Sequence, residues 1–422
     1  MKNRVVITGL GIIAPNAHGL EAYEAALRGG KSGIRFIPEL ERLKFGCQVA
    51  GVPPDLDEIS ARYFTEEQLL AMNSSIKYAC IAAIDAWRDG GFEVPHQDSD
   101  VNWETGAIVG TGIGGMDTIA ERLVPLVNEK KVRRLGSTIV EQVMASGVSA
   151  KIAGLLALGN QVTTNSSACS TGTEAILDAM YRIRNGLAQR MLAGGAEGAS
   201  VHIWAGFDGM RVLNRKHNDA PESASRPMSA SAAGFIPGAG AGILMLENLE
   251  AAQQRGARIY AEVLGGAINC GGHRLGGSMT APNPQGVQQC IRTALADAAI
   301  SGDEVDAING HLTATFADPH EIKNWARALG VTPETFPLTN ATKSLVGHSL
   351  GAAGGLESVA CVLQIYKGFV HGSVNCEDLH EELLPYAERI VQKTRETPEL
   401  RVQAKASFGF GDVNACVLFK KW

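Results

Sequence analysis

The order of patterns along this 422-residue chain predicts an α/β fold made of two duplicated halves with covered central sheets. Strand-like runs alternate with helical periodicities from end to end. The pattern starts again at Arg258, which divides the chain near residue 250 into halves spanning 1–250 and 251–422. The 49 glycines supply tight turns and close backbone approaches.

Taken in order, Arg4 to Thr8 reads as a buried strand, followed by Gly9-Leu10-Gly11-Ile12-Ile13-Ala14. That run matches the dinucleotide pattern G-x-G-x-x-G/A by letter. Pro15 and Asn16 interrupt the helix that should follow, and no strand-end carboxylate stands about 20 residues on. Helical spacing follows at Leu20–Leu27 and Ser74–Asp89. In the second, Ile76, Ala79, Cys80, Ala83, Ile84 and Trp87 form a core-facing stripe. Ala107-Ile108-Val109 is a strand entering a second glycine-rich turn, Gly110 to Gly115, which lacks the Lys-Ser/Thr of a P-loop. A short β-type run at Gln161–Thr164 leads through Asn165–Ala175 into a helix, and Met191–Ala193 is again a strand. Gly242–Leu246 closes the first half, with the helix Glu250–Arg255 after it. The second half repeats the scheme: a strand at Ile259–Leu264, a helix at Val287–Ala299, a strand at Val305–Asn309 and a helix at Glu321–Leu329.

Composition narrows the function. A hydrophobic content of 45%, a charged content of 19% and a net charge of −6 exclude the basic footprint of a nucleic-acid binder. The cluster Lys130, Lys131, Arg133 and Arg134 reads as a solvated loop. Eight scattered cysteines, none in a C-x-x-C pair, argue against a zinc ribbon or thioredoxin motif and suit a reducing compartment. No apolar run reaches the roughly 18 residues of a membrane span, and the first residues lack the architecture of a signal peptide, so a cytoplasmic protein is expected.

Four segments can carry chemistry together. Cys169 in NSSACSTGTEA sits at a strand-to-helix junction, where the unpaired N–H groups and dipole of a helix start favour a thiolate. His311 ends a strand in NGHLTAT. Lys343 and His348 lie in TKSLVGHSLGAAG, where the histidine opens a helix rich in small residues. Phe408 to Gly411 form the near-terminal turn SFGFG. Singly, these read as a buried thiol, a polar strand end, tight helix packing and an aromatic bend. Jointly they place one nucleophile, two histidines and a flexible turn at element ends, where sites form.

These motifs resemble the β-ketoacyl-acyl-carrier-protein synthases of the elongating, type I and II branch with a Cys-His-His site. Order and spacing match, including the five residues from Lys343 to His348, and the likeness runs from VVITGLGIIAP to ACVLF. Thiolases share the fold and a segment like Gly347–Ala352 but lack the His311 segment and the FGFG turn. The resemblance implies a thiolase-like, layered αβαβα fold, with the nucleophile in the first half and both histidines in the second. It implies a decarboxylative Claisen condensation between an acyl group on Cys169 and a malonyl thioester. The N–H groups of Cys169 and Phe410 would form the oxyanion hole, and His311 and His348 would stabilise the enolate. It also implies that Lys343 pairs with Glu321, that Thr313 and Thr315 contact the pantetheine arm, that Ile113 lines the acyl pocket, and that Phe408 and Phe410 shape substrate entry. No metal or organic cofactor is implied, since phosphopantetheine arrives on an acyl carrier protein. A homodimer, or a heterodimer with a related chain, is expected, with no nucleic-acid or membrane partner.

Several positions depart from that pattern. Leu312 stands where glycine is usual, the interval from His311 to Glu321 is one residue short, and Asp412-Val413-Asn414 replaces Gly-Thr-Asn. The loop Pro227–Phe235 and the run Gly238–Gly242 lack their usual charged residues. These changes surround the pocket, so an unusual acyl, polyene or polyketide product is expected. A non-catalytic chain-length partner and a non-decarboxylating, thiolase-like condensation are the alternatives.

Overall fold

The computed structural model describes residues 2–422. Its first half contributes strands β1 (Val5–Ala14), β2 (Thr105–Gly110), β3 (Val162–Thr163), β4 (Arg190–Glu197) and β5 (Gly240–Asn248). The second contributes β6 (Ala261–Cys270), β7 (Ala307–Asn309), β8 (Leu338–Asn340), β9 (Val402–Gly409) and β10 (Val413–Lys421). Their spatial order is β8-β7-β9-β10-β6-β1-β5-β4-β2-β3. Counted within each half, both passes follow one scheme: first strand, fifth, fourth, second, third. The halves join where Val6 and Ile7 of β1 pair antiparallel with Glu262 and Ala261 of β6.

Helix α1 (Ser74–Asp89) covers the outer face of the first half. Asn73 starts it by accepting the N–H of Ile76. Helices α2 (Thr171–Arg184) and α5 (Ala353–Lys367) lie between the halves and touch strands of both. On the outer face of the second half lie α3 (Pro284–Ala298), against β6, and α4 (Asp318–Leu329), against α3. A helix enclosed on all sides is mostly apolar, and every residue of α5 from Ala353 to Ile365 is buried, Glu357, Ser358 and Gln364 being its polar members. Burying Leu356, Val359 and Leu363 there contributes roughly 1.5–3 kcal/mol each. The architecture is that of the layered αβαβα, thiolase-like fold, with one apolar core between the sheets and another beneath each outer layer.

Glycine brings the two central helices together. A Cβ on Gly172 of α2 would lie 2.6 Å from Gly355 N, and one on Gly354 would lie 2.3 Å from Thr173 N. Gly355 itself is pressed on β5, 2.2 Å from Gly242 O by the same measure. In the glycine run that imitates a nucleotide loop, Gly9 and Gly11 lie inside β1. A Cβ there would collide with the Ala86 and Ala82 carbonyls of α1. They serve strand-to-helix packing and not phosphate binding.

Candidate active site

Cys169 stands on a single 3₁₀ turn, Ala168–Ser170, between β3 and α2. Ala168 has φ of +50°, a left-handed conformation that costs an alanine of order 1–3 kcal/mol and needs support. The support is local: Thr171 Oγ donates to Ala168 O at 2.7 Å and accepts the N–H of Ser167 at 2.8 Å. The FGFG turn approaches from β9, where a Cβ on Gly409 would lie 3.0 Å from Cys169 N. Glycine there lets the turn lie against the backbone of the nucleophile, and the Phe410 N–H comes close enough to the Cys169 sulphur to favour its ionised form.

The two histidines meet Cys169 from the other half. His348 Nε2 is 3.0 Å from Cys169 Sγ, and ligand atoms of Cys169, His311 and His348 lie within 4.8 Å of one another. Leu350 N–H donates to His348 Nδ1 at 3.2 Å, so Nδ1 accepts and the neutral ring carries its proton on Nε2. Nε2–H therefore points at the sulphur as a donor and has no lone pair for a metal ion. Burial first, then the charges of Lys343 and Lys405, pushes His348 well below the usual imidazole range. Burial likewise pushes His311 well below it, with Lys343, His348 and Lys405 adding to the shift.

Carboxylates of the first turn of α4 hold the His311 loop. Glu321 accepts the N–H groups of His311 at 2.7 Å and Leu312 at 2.8 Å. Asp318 accepts those of Thr313, Ala314 and Met228. Burial pushes Glu321 up to about 7 against those bonds. Leu312 is buried with φ of +21° and Ala314 has φ of +61°, so this corner is a strained turn held from α4.

An apolar cavity of about 380 Å³ opens on the site, and Cys169, His311, His348, Phe408 and Phe410 all border it. Thr313 and Thr315 also line it, with their hydroxyls 3.0 Å apart. Ile113 does not. On the single chain it is 39% exposed, because Glu197 draws its loop toward α5 by accepting the N–H groups of Gly112 and Gly351.

Two further expectations need correction. Lys343 pairs with Glu357 of α5 rather than with Glu321, whose two oxygens are taken up by backbone donors. A second buried lysine, Lys405, reaches the other oxygen of Glu357 at 2.8 Å. Nor is the resting thiol acidified. Burial pushes Cys169 up to about 11, opposed by the Lys343 charge and the Phe410 N–H. The helix start supplies donors, but burial outweighs them. Alkylation by iodoacetamide should therefore speed up nearly tenfold per pH unit from pH 6 to 9. A plateau near neutrality would show a preformed thiolate.

Asp412, at φ of +61°, is fully buried and accepts the N–H groups of His273 at 2.9 Å and Asn283 at 2.8 Å. It thereby ties the FGFG turn to the loop 271–283, which supplies Gly276, Thr280, Ala281 and Pro282 to the cavity wall. The basic cluster at 130–134 is exposed, and Lys131 pairs with Glu129. Glu357, Lys405 and Glu197 were not singled out by sequence. Each is a buried charge in a mostly apolar element, and only that incongruity marks them.

The description "Beta-ketoacyl synthase, N-terminal domain" matches residues 2–252, and "Beta-ketoacyl synthase, C-terminal domain" matches 260–377. The chain is 36% identical over 425 residues to the chloroplastic 3-oxoacyl-[acyl-carrier-protein] synthase I of Arabidopsis thaliana, covering 99% of this chain and 86% of that one. It is 35% identical over 428 residues to 3-oxoacyl-[acyl-carrier-protein] synthase 2 of Vibrio harveyi, covering 100% and 99%. Among solved structures, the ishigamide ketosynthase/chain length factor superposes with a TM-score of 0.89 at 31% identity, covering both chains fully. A type II polyketide ketosynthase in complex with its acyl-carrier protein gives 0.87 at 28%, again with full coverage of both.

Proposed function

The chain belongs to the β-ketoacyl synthase family, and from that premise we propose how its residues carry out the reaction. The enzyme condenses an acyl group with malonyl-acyl-carrier-protein, with loss of carbon dioxide, to give a 3-ketoacyl-acyl-carrier-protein. Cys169 takes the acyl group by attack on the incoming thioester, and the thiol proton leaves on the departing pantetheine sulphur. The backbone N–H groups of Cys169 and Phe410 hold the oxyanion of the tetrahedral intermediate. When malonyl thioester enters, His311 and His348 donate N–H groups to its carbonyl oxygen as carbon dioxide departs. The enolate carbon then attacks the acyl group on Cys169, and the sulphur leaves.

The observation that carries this reading is the 3.0 Å contact of His348 Nε2 with Cys169 Sγ, at the end of an apolar cavity. Thr313 and Thr315 line the approach for the pantetheine arm. Lys343 and Glu321 hold the histidines in place, one through Glu357 and the other through the backbone. The sulphur that leaves takes up one proton from solvent, which restores the resting thiol; no bond in this sequence changes hands with an oxidant or reductant, so the reaction as written calls on no metal or organic cofactor.

The finer assignment is to an unsaturated or polyketide-type acyl chain. It is supported by Leu312, which sits between the cavity-lining His311 and Thr313, by Asp412, two residues beyond the cavity-lining Phe410, and by likeness to a type II polyketide ketosynthase. We propose a dimer, with itself or with a related chain, in the cytoplasm; among the described residues no helix is long and apolar enough to cross a membrane. Intact-mass measurement after exposure to saturated and unsaturated acyl carrier proteins, followed by malonyl-acyl-carrier-protein, tests the whole scheme. An adduct on Cys169, release of carbon dioxide and preference for the unsaturated chain are expected. Equal use of saturated chains would sink the specialised assignment. Use of an acetyl donor without carbon dioxide would point to thiolase chemistry, and an absent adduct to a chain-length partner.

A further inference from the structure

The hairpin that carries Phe410 is held at its tip by a distant loop. β9 and β10 pair as far as Gly409 and Val413, which leaves Phe410, Gly411 and Asp412 as the tip. Polar groups of that tip turn to the loop 271–283. Gly411 N–H donates to Met279 O at 2.8 Å, and Gly411 O lies 2.9 Å from His273 Nε2. Gly271 N–H donates to Asp412 O at 2.9 Å. The Asp412 carboxylate enters the loop itself, where one oxygen accepts His273 N–H and the other Asn283 N–H. The loop is shaped around it: a Cβ on Gly271 would lie 2.3 Å from Asp412 Oδ2, and one on Gly277 would lie 2.7 Å from the same oxygen. His273 and Leu275 take left-handed φ of +53° and +52°, conformations that persist only where the surroundings impose them. A glycine at 412 would adopt its φ of +61° more easily and make neither side-chain bond.

We propose that Asp412 is a positioning residue for acyl selection: its carboxylate clasps the tip of the β9–β10 hairpin to the loop 271–283, fixes Phe410 and the loop's share of the cavity wall as one piece, and so limits how wide a chain reaches Cys169.

The two sides of the passage are held by different means. Phe410 borders the cavity beside Cys169, and the loop adds Gly276, Thr280, Ala281 and Pro282. The Phe410 ring stands 6.2 Å from that of Phe207, another cavity residue, and Phe207 meets Phe235 edge-on at 5.5 Å. Phe207 and Phe235 belong to one apolar cluster, so that side is held by packing. The Phe410 side is held by the clasp, through hydrogen bonds of set length and direction. Side-chain packing yields to an extra methyl group by small shifts, whereas a bonded wall excludes it until the bonds break. Asp412 therefore acts on width without touching the acyl chain.

The inference rests on the acyl-carrying role of Cys169, and its test separates the two. The full-length protein, Asp412→Gly and Gly271→Ala would be loaded from straight-chain and from α-methyl-branched acyl carrier proteins. The same proteins would be alkylated with N-methylmaleimide and with N-phenylmaleimide. Adducts are read at Cys169 by peptide mass, because Cys270 is also exposed. Asp412→Gly removes the clasp from the hairpin, and Gly271→Ala expels the carboxylate from the loop side, so either serves should the other not fold. In each, the ratio of the rate with the wide reagent to the rate with the slender one should rise about tenfold. Asp412→Asn, which keeps the shape and one acceptor oxygen, should fall between Asp412→Gly and the wild type. A wild-type ratio in the unclasped variants, or an equal loss with both reagents, would overturn the proposal. A wild type that reacts with maleimides but takes no acyl group would refute the condensing reading instead, and the maleimide ratio would still decide the role of Asp412.

Discussion

Replacing Cys169 with alanine should abolish condensation, by more than about 10³-fold, while leaving carbon dioxide release from malonyl thioester measurable. The asymmetry follows from the geometry. The sulphur is the atom placed to hold the acyl group, and the imidazole nearest to it, His348, presents its Nε2–H toward it. No neighbour can take over: Ser170 is the adjacent hydroxyl, but it donates to Ser407 O and Val413 O, away from the cavity. Decarboxylation needs donors to the thioester oxygen, and those come from His311 and His348, whose supports do not pass through Cys169. Mass spectrometry should find no acyl adduct on Cys169→Ala. Its product assay should be blank in the presence of acyl and malonyl carrier proteins together. Retained 3-ketoacyl formation would move the nucleophile elsewhere.

His348→Ala should cost about 10²–10³-fold in malonyl decarboxylation while sparing acyl transfer to Cys169 far more. His348 is aimed by two independent restraints. Its backbone N–H bonds Ile236 O at 2.7 Å, and its Nδ1 accepts Leu350 N–H, so the Nε2 proton has one direction in which to point. Removing the ring deletes a donor that was oriented in advance. Acyl transfer retains the Phe410 N–H at the sulphur and the Cys169 N–H beneath it. Stopped-flow loading and carbon dioxide release, measured on the same protein, give the two numbers. Equal loss in both steps would assign His348 to general upkeep of the site.

Much of this site was legible before any coordinates. Cys169, His311 and His348 each end an element and carry small or glycine neighbours, a local signature that sequence keeps. The repetition of the halves was legible for the same reason, since strand and helix periodicities are local. What sequence could not show depended on which distant residue arrives opposite. Lys343 and Glu321, with most of α4 and β8 between them in the chain, were expected to pair, but the first turn of α4 spends Glu321 on the backbone of the His311 loop. Glu357 lies in a mostly apolar helix, and Lys405 lies in a buried strand. Their meeting is a product of the layer order and has no local signal. The acidity of Cys169 was misjudged because a helix start is visible in sequence, whereas the depth of burial is not. Ile113 does not border the cavity of the single chain, where Glu197, at the end of the neighbouring strand β4, holds its loop by accepting the Gly112 N–H.

The contact between the two central helices has a consequence for how such a chain can drift. Gly172 against Gly355, and Gly354 against Thr173, set backbone on backbone, with the Thr173 hydroxyl the one side-chain atom beside them. That joint acts as a gauge block: it fixes the gap between the nucleophile's turn and the turn bearing His348 independently of what fills the core. Apolar residues farther along α2 and α5 can be exchanged, and the halves can re-adjust around them, without the gap changing. Residues elsewhere in the chain can then change, as about two in three differ from the relatives at 35% and 36% identity, with this joint left to hold the gap. The chain's freedom to explore new substrates sits in the cavity wall, while the measure of its chemistry is kept by four atoms of main chain.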